Sequence, residues 1–211
     1  MTYTLYGAKG SGSSIIEAAL LEIGAAYAFK PVDMRHDAQR EGEYTSINPH
    51  QKIPTLVTPE SETLTESAAI VLTLAERHPQ AGLLPPAASP ERARALRWLL
   101  FAAAELYPVI EIVDYPERFS PDEAARAGVR ERANEIWRRR WLTVEANAID
   151  EGPCVLGHTF CATDIYLAVL SRWNLANDWR SEHLPRVDRL ANEVAARPKL
   201  RQLWARSFPG K

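Results

Sequence analysis

A proline-rich stretch at residues 79–90 divides the chain into two parts of different texture, and this division constrains the fold more than any other feature. Before it, short β-like runs alternate with helical ones. Residues 3–6 read as a strand. Ser14-Ile15-Ile16-Glu17 has the Ser-x-x-Glu spacing of a helix capping box, in which serine and glutamate each satisfy an N–H of the helix start. Ile15, Ile16, Ala19, Leu20 and Ile23 then share one helical face, and Gly24 ends the run. Residues 28–32 form a second strand, and a short helix is expected between Asp37 and Thr45. Residues 55–57 and 63–65 are short β runs around the turn residues Pro59, Glu60 and Ser61, and residues 67–77 are helical again. The order β-α-β-α-β-β-α is most simply satisfied by a small mixed sheet.

Beyond the prolines almost everything is helical. Ser89-Pro90-Glu91 and Ser120-Pro121-Asp122-Glu123 each set a capping serine before a proline at the first helical position. All six tryptophans (Trp98, Trp137, Trp141, Trp173, Trp179 and Trp204) lie in this part, as core for an all-α bundle. Further helices are expected at residues 163–175, 184–196 and 198–207. The reading is therefore an α/β domain over residues 1–78, a linker over 79–89 and an all-helical domain over 90–211.

Composition removes several function classes. The 211 residues are 46% hydrophobic and 25% charged, as in ordinary globular chains, and the net charge of -2 leaves no basic field for nucleic acid. No apolar run approaches the ~20 residues that cross a membrane. The N-terminus lacks the layout of a signal peptide. With only Cys154 and Cys161 a disulfide scaffold is not expected, and the cytoplasm is the expected address. Cys154, His158 and Cys161 sit close together, but three ligands without a fourth make a poor zinc pattern, so no metal is expected.

The most specific stretch is Asn48-Pro49-His50-Gln51-Lys52-Ile53-Pro54-Thr55-Leu56-Val57, followed by Leu64-Thr65-Glu66-Ser67-Ala68-Ala69-Ile70. An Asn-Pro-x-x-x-Ile-Pro-x-Leu run with Thr-Glu-Ser-x-Ala-Ile downstream resembles the glutathione site of cytosolic glutathione transferases. The family has a thioredoxin-like N-terminal domain and an all-helical C-terminal domain, so the resemblance covers the whole chain. It implies that Pro54 follows a cis peptide bond and that the Ile53 N–H and C=O pair with the cysteinyl backbone of glutathione, as an added strand would. It implies that Glu66 accepts from the γ-glutamyl ammonium and that Ser67, at a helix mouth, receives the γ-glutamyl carboxylate. Lys52 and Arg35 are candidates for the glycyl carboxylate. In the C-terminal half, Gly157-His158-Thr159-Phe160-Cys161-Ala162-Thr163-Asp164 resembles the family's buried capping motif, with Cys161 where Ser or Thr is usual. A thiol is the weaker acceptor, so the cap is looser by up to ~1 kcal/mol.

Glutathione needs its sulfur ionised. A free thiol with a pKa near ~8.5 is only ~3% thiolate at neutral pH; a shift to about 6.5 gives ~75% and takes ~2.7 kcal/mol of preference for the anion. A hydroxyl donating to a charged acceptor supplies ~1.5–3 kcal/mol, and a helix N-terminus adds ~0.3–1 kcal/mol. The candidates lie in Gly10-Ser11-Gly12-Ser13-Ser14: Ser11 first, then Ser13, with Ser14 as the helix cap, and Tyr6 as a rival donor. The helical half, through Glu105-Leu106-Tyr107 and the stretch from Tyr166 to Trp173, most resembles the bacterial beta class. That class carries a cysteine at a position matching about Gly12. Here no cysteine precedes Cys154, which excludes disulfide exchange through an enzyme thiol in this domain. The resemblance puts Tyr107 and Trp173 beside the second, electrophilic substrate in a cleft between the domains. It also implies a homodimer with residues 67–77 and 90–113 near the interface. A glutathione-dependent isomerase, dehalogenase or ether-cleaving enzyme, or a non-catalytic binder of glutathione or apolar ligands, would carry much the same first domain.

Overall fold

The computed structural model describes residues 2–149 and 151–210. Its first half runs β1 (Tyr3–Gly7), α1 (Ser13–Ile23), β2 (Tyr27–Pro31), α2 (Gly42–Ile47), β3 (Thr55–Val57), β4 (Thr63–Leu64) and α3 (Ser67–Arg77), the order read from the sequence. The sheet has the strand order β2-β1-β3-β4. β1 pairs with β2 in parallel and with β3 antiparallel, and β3 pairs antiparallel with β4. A parallel pair needs a crossover, and α1 supplies it. Along β1, Tyr3, Leu5 and Gly7 are buried, while Thr4 and Tyr6 take the opposite face. α1 and α3 pack together, with Ile15, Ile16, Leu20, Ile70 and Leu74 fully buried. The short helix expected between Asp37 and Thr45 is resolved into two single 3₁₀ turns, Met34–His36 and Ala38–Arg40, followed by α2.

The chain divides into two compact units, residues 86–193 forming the second. It contains α4 (Pro90–Phe101), a π-helical segment (Ala102–Leu106), α5 (Tyr107–Asp114), α6 (Arg126–Asn147), α7 (Ala162–Leu170), α8 (Asn177–His183) and the start of α9 (Pro185–Ala196). Ser89 caps α4 as expected: its Oγ accepts from the Arg92 N–H at 3.1 Å, with Pro90 at the first helical position. Ser120-Pro121 does not begin a helix. The Ser120 hydroxyl donates to the Asp122 carbonyl (3.2 Å), the Asp122 carboxylate accepts the Ala124 N–H (3.0 Å), and α6 starts only at Arg126. The π segment precedes Pro108, which has no N–H to give the Ala104 carbonyl, so the wide turn falls where α-helical bonding is already interrupted. Trp137 and Trp141, both fully buried, meet edge to face with centroids 5.6 Å apart. Asp164 is wholly buried and accepts the N–H groups of Cys161 (2.7 Å) and Val155 (2.8 Å), while the Thr163 hydroxyl donates to the Ala95 carbonyl (2.9 Å) and ties α7 to α4.

Residues 194–211 belong with residues 1–85. They include α10 (Arg201–Ser207), which packs on α1. Arg197 grips the Glu22 carboxylate with two bonds of 2.7 and 2.9 Å, Lys199 donates to the Glu22 carbonyl (2.6 Å), and Arg206 pairs with Glu17. Tyr27 donates its hydroxyl to the same Glu17 carboxylate at 2.6 Å. These bonds correct the capping box expected at Ser14 and Glu17. α1 begins at Ser13 with Gly12 at its N-cap, Ser14 is already inside the helix and 1% exposed, and Glu17 is engaged by groups remote in sequence. Among the described residues no helix is long and apolar enough to cross a membrane.

Candidate functional site

Strand register gathers the motif residues of the first unit. Tyr6 lies opposite Thr55, and Leu56 opposite Leu64. Continued one or two residues, the same pairing places Ala8, Ile53-Pro54 and Glu66 at one end of the sheet, where α1 and α3 also begin. The Ile53–Pro54 peptide bond is cis. Pro54 is buried and Ile53 half-buried. Among the described residues neither the N–H nor the C=O of Ile53 has a hydrogen-bond partner. On either side the backbone is held firmly. The Lys52 carbonyl accepts from the Tyr44 hydroxyl (2.6 Å) and the Asn48 side-chain amide (2.7 Å). The Thr55 hydroxyl bonds the same two groups at 2.9 and 3.1 Å.

Glu66 is exposed and stands at φ 62°, ψ 104°, a backbone conformation costly for any residue with a side chain. It turns the chain from β4 into α3. Ser67 opens that helix and is 7% exposed. An α-helix leaves its first N–H groups without intrahelical acceptors, so this mouth favours an anion.

The serine loop joins β1 to α1 at the same end. The Ser11 hydroxyl lies 2.7 Å from the Ala8 carbonyl and 3.0 Å from Ser13 Oγ, and it accepts the Ser13 N–H at 3.2 Å. Ser13 Oγ accepts the Ala8 N–H (3.1 Å) and donates to the Ala8 carbonyl (2.9 Å). Ser11 is half-buried; Ser13 is 1% exposed. Ser13 packs so tightly against the end of β1 that a Cβ on Gly7 would stand 2.2 Å from its own. Gly10 has φ 71°, and a Cβ there would come within 2.8 Å of the Ser207 carbonyl, so only glycine fits this turn.

The remaining candidates lie elsewhere. Strand alternation turns Tyr6 to the face carrying α2, where its ring centroid is 5.8 Å from that of Tyr44 and Lys30 Nζ sits 5.5 Å from the ring centre. These residues, with Val32, Glu41 and Ile47, line a cavity of about 480 Å³. Arg35 is on an exposed turn after β2, its guanidinium without a partner among the described residues; Lys52 is also exposed. Tyr107 and Trp173 are in the second unit, half-buried and edge to face at 5.1 Å, with Tyr166 6.4 Å from Tyr107. Both cysteines are buried, and burial pushes the Cys161 thiol far up, away from nucleophilic chemistry. Among the described residues no group of three His, Cys, Asp or Glu side chains is placed to hold a metal ion. Sequence reading did not single out Tyr44, whose hydroxyl holds the Lys52 carbonyl beside the cis bond. Its only local signal is proximity to the Asn-Pro motif, because what it holds is backbone.

Residues 1–76 match the family model for the glutathione S-transferase N-terminal domain. Over 208 residues the chain is 31% identical to an uncharacterised GST-like protein, YncG, of Escherichia coli K12, covering 96% of this chain and 97% of that protein. Two solved structures are similar along nearly the whole length: a sphingomonad glutathione S-transferase complexed with glutathione, and a bacterial beta class enzyme from Sphingomonas chungbukensis. Each is 26% identical, with a TM-score of 0.78, and the match covers 95% of this chain and 96% of the other. With this fold and these matches, the chain belongs to the glutathione S-transferase superfamily, and it carries no cysteine in the loop before α1.

Proposed function

We propose that the protein binds glutathione at this sheet end and ionises its thiol for attack on an electrophilic small molecule. The observation that carries the reading is Ile53: an N–H and a C=O without partners, flanked by rigidly held backbone, suit the extended backbone of a peptide. Glu66 takes the γ-glutamyl ammonium and Ser67, with the start of α3, the γ-glutamyl carboxylate. Lys52 and Arg35 are the cations for the glycyl carboxylate.

Between the two serines, the geometry favours Ser11 as the donor to sulfur. Ser13 is buried and already accepts from Ala8, so its hydroxyl stabilises the loop. The Ser11 proton can leave the Ala8 carbonyl for a sulfur anion, because Ser13 still donates to that carbonyl. The thiol proton passes to water, and the thiolate forms a bond to the electrophilic carbon as the leaving group departs with its electron pair. Tyr107 and Trp173 are assigned to the apolar part of that electrophile. A homodimer in the cytoplasm belongs to the same reading, and sedimentation as a monomer would count against it.

Calorimetric titration with glutathione, paired with the ultraviolet thiolate band of the bound form, tests the proposal. Binding with a thiol pKa well below that of free glutathione is expected. No heat at millimolar glutathione would sink it, and binding with an unshifted thiol would reduce the protein to a carrier.

A further inference from the structure

We infer that Tyr44 is a positioning residue for glutathione, acting through the Lys52 carbonyl to fix the pitch of the Ile53 N–H. The inference rests on the glutathione reading and adds to it a group that touches no substrate atom. The Tyr44 phenol bonds both flanks of the Ile53-Pro54 pair, the Lys52 carbonyl at 2.6 Å and the Thr55 hydroxyl at 2.9 Å. Asn48 does the same from its amide, at 2.7 and 3.1 Å. Asn48 is itself fixed: its Oδ1 accepts the His50 N–H (3.0 Å), its carbonyl accepts the Gln51 N–H (2.9 Å), and its N–H donates to the Tyr44 carbonyl (2.8 Å). Gln51 stands at φ 56°, so the loop turns sharply just before the held carbonyl. Tyr44, Asn48 and Thr55 are 7%, 2% and 0% exposed, which leaves water little access to compete for these bonds.

Burial pushes the Tyr44 phenol above its ordinary pKa, so it stays a donor across the neutral range. The Lys52–Ile53 peptide plane, which carries the Ile53 N–H, is thereby set from α2, and a ligand strand meets a donor already aimed. Losing the phenolic hydroxyl takes one of the bonds that hold the Lys52 carbonyl and keeps that from Asn48. The carbonyl is still satisfied, but the plane is held less tightly.

The test is Tyr44→Phe in the full chain, beside Thr55→Val, which removes a Tyr44 partner without touching the Lys52 carbonyl. If the wild-type protein fails to bind glutathione, the functional proposal falls first. Given wild-type binding, Tyr44→Phe should raise KM and Kd for glutathione about five- to tenfold, the equivalent of one hydrogen bond of ~1–1.4 kcal/mol. The kcat at saturating glutathione, the KM for the electrophile and the thiol pKa should stay unchanged. Thr55→Val should lower stability yet leave the glutathione KM within twofold. An unchanged KM in Tyr44→Phe, a fall confined to kcat, or equal KM effects in both variants would overturn the inference. So would failure of Tyr44→Phe to fold, since the phenol would then hold the domain rather than the loop.

Discussion

Ser11→Ala tests the thiolate assignment most directly. The substitution removes a hydroxyl 2.7 Å from the Ala8 carbonyl and 3.0 Å from Ser13 Oγ, and it takes one acceptor from the Ser13 N–H. In the bound complex the Ser11 proton exchanges a neutral carbonyl for an anionic sulfur, and the Ala8 carbonyl keeps the Ser13 hydroxyl. A hydrogen bond to a charged group contributes ~1.5–3 kcal/mol and one between neutral groups ~1 kcal/mol, so the net preference for thiolate is ~0.5–2 kcal/mol. At ~1.4 kcal/mol per pKa unit this is about one unit, and the start of α1 adds up to ~0.7 of a unit whether or not Ser11 is present. Bound glutathione is thus expected near pKa ~7 in the wild-type protein and near ~8 in Ser11→Ala. At pH 7 the thiolate fraction would fall from about one half to about one tenth, a fivefold loss of kcat/KM that disappears above pH ~9. Titrating the thiolate absorbance of the complex reads the pKa, and the pH profile of kcat/KM reads its consequence. The reasoning is refuted if the bound pKa is the same with and without the Ser11 hydroxyl, or if Ser13→Ala moves it further than Ser11→Ala does.

Other outcomes follow from groups outside that loop. Glu66→Gly should relieve the conformation at φ 62° and raise stability by ~1 kcal/mol in urea unfolding, while weakening glutathione binding; a variant both less stable and equally avid would contradict both parts. Arg197→Ala leaves the Glu22 carboxylate, 8% exposed, without its two guanidinium bonds; because Arg197 is 34% exposed, a cost of ~1–3 kcal/mol in the same assay is expected. Cys161→Ser gives α7 a stronger acceptor at its N-cap and should add ~0.5–1 kcal/mol, and a loss would mean that the cavity fits sulfur alone. Burial, then the bond to Glu17, raises the Tyr27 phenol to about 12, so the folded state holds that proton longer than the unfolded chain does. Its contribution is complete below pH ~10 and is lost as pH rises toward 12, so the wild-type protein should lose stability over that window more steeply than Tyr27→Phe.

Much of the first unit could be read along the chain because its signals are local. Alternation in residues 3–6 and one-sided apolar spacing in residues 15–23 fix element type within a few residues. The Ile-Pro and Glu-Ser pairs are also short, but each has an ordinary reading as a bend or a helix cap, and only their combination at this spacing carries the family resemblance. The failures share the opposite property. Ser14-x-x-Glu17 has capping spacing, yet Glu17 bonds Tyr27 and Arg206, the second 189 residues away, and the helix starts two residues earlier. Ser120-Pro121 looks like a helix start, but Asp122 closes a turn around itself instead. The grip of Arg197 on Glu22 spans 175 residues and has no local signature.

On the proposed reading, the groups that would meet glutathione were legible through a resemblance carried by short motifs, and the groups that would aim them were not. A group offered to a ligand is not consumed within the fold, and in the structure it shows as an oddity: a positive φ at Glu66, or unmatched polar atoms at Ile53. A group that aims another must be consumed entirely, and a tyrosine whose hydroxyl meets a backbone carbonyl eight residues on reads as one more core aromatic. Tyr44 and Asn48 are therefore where substitutions should alter glutathione affinity without altering any residue that glutathione touches.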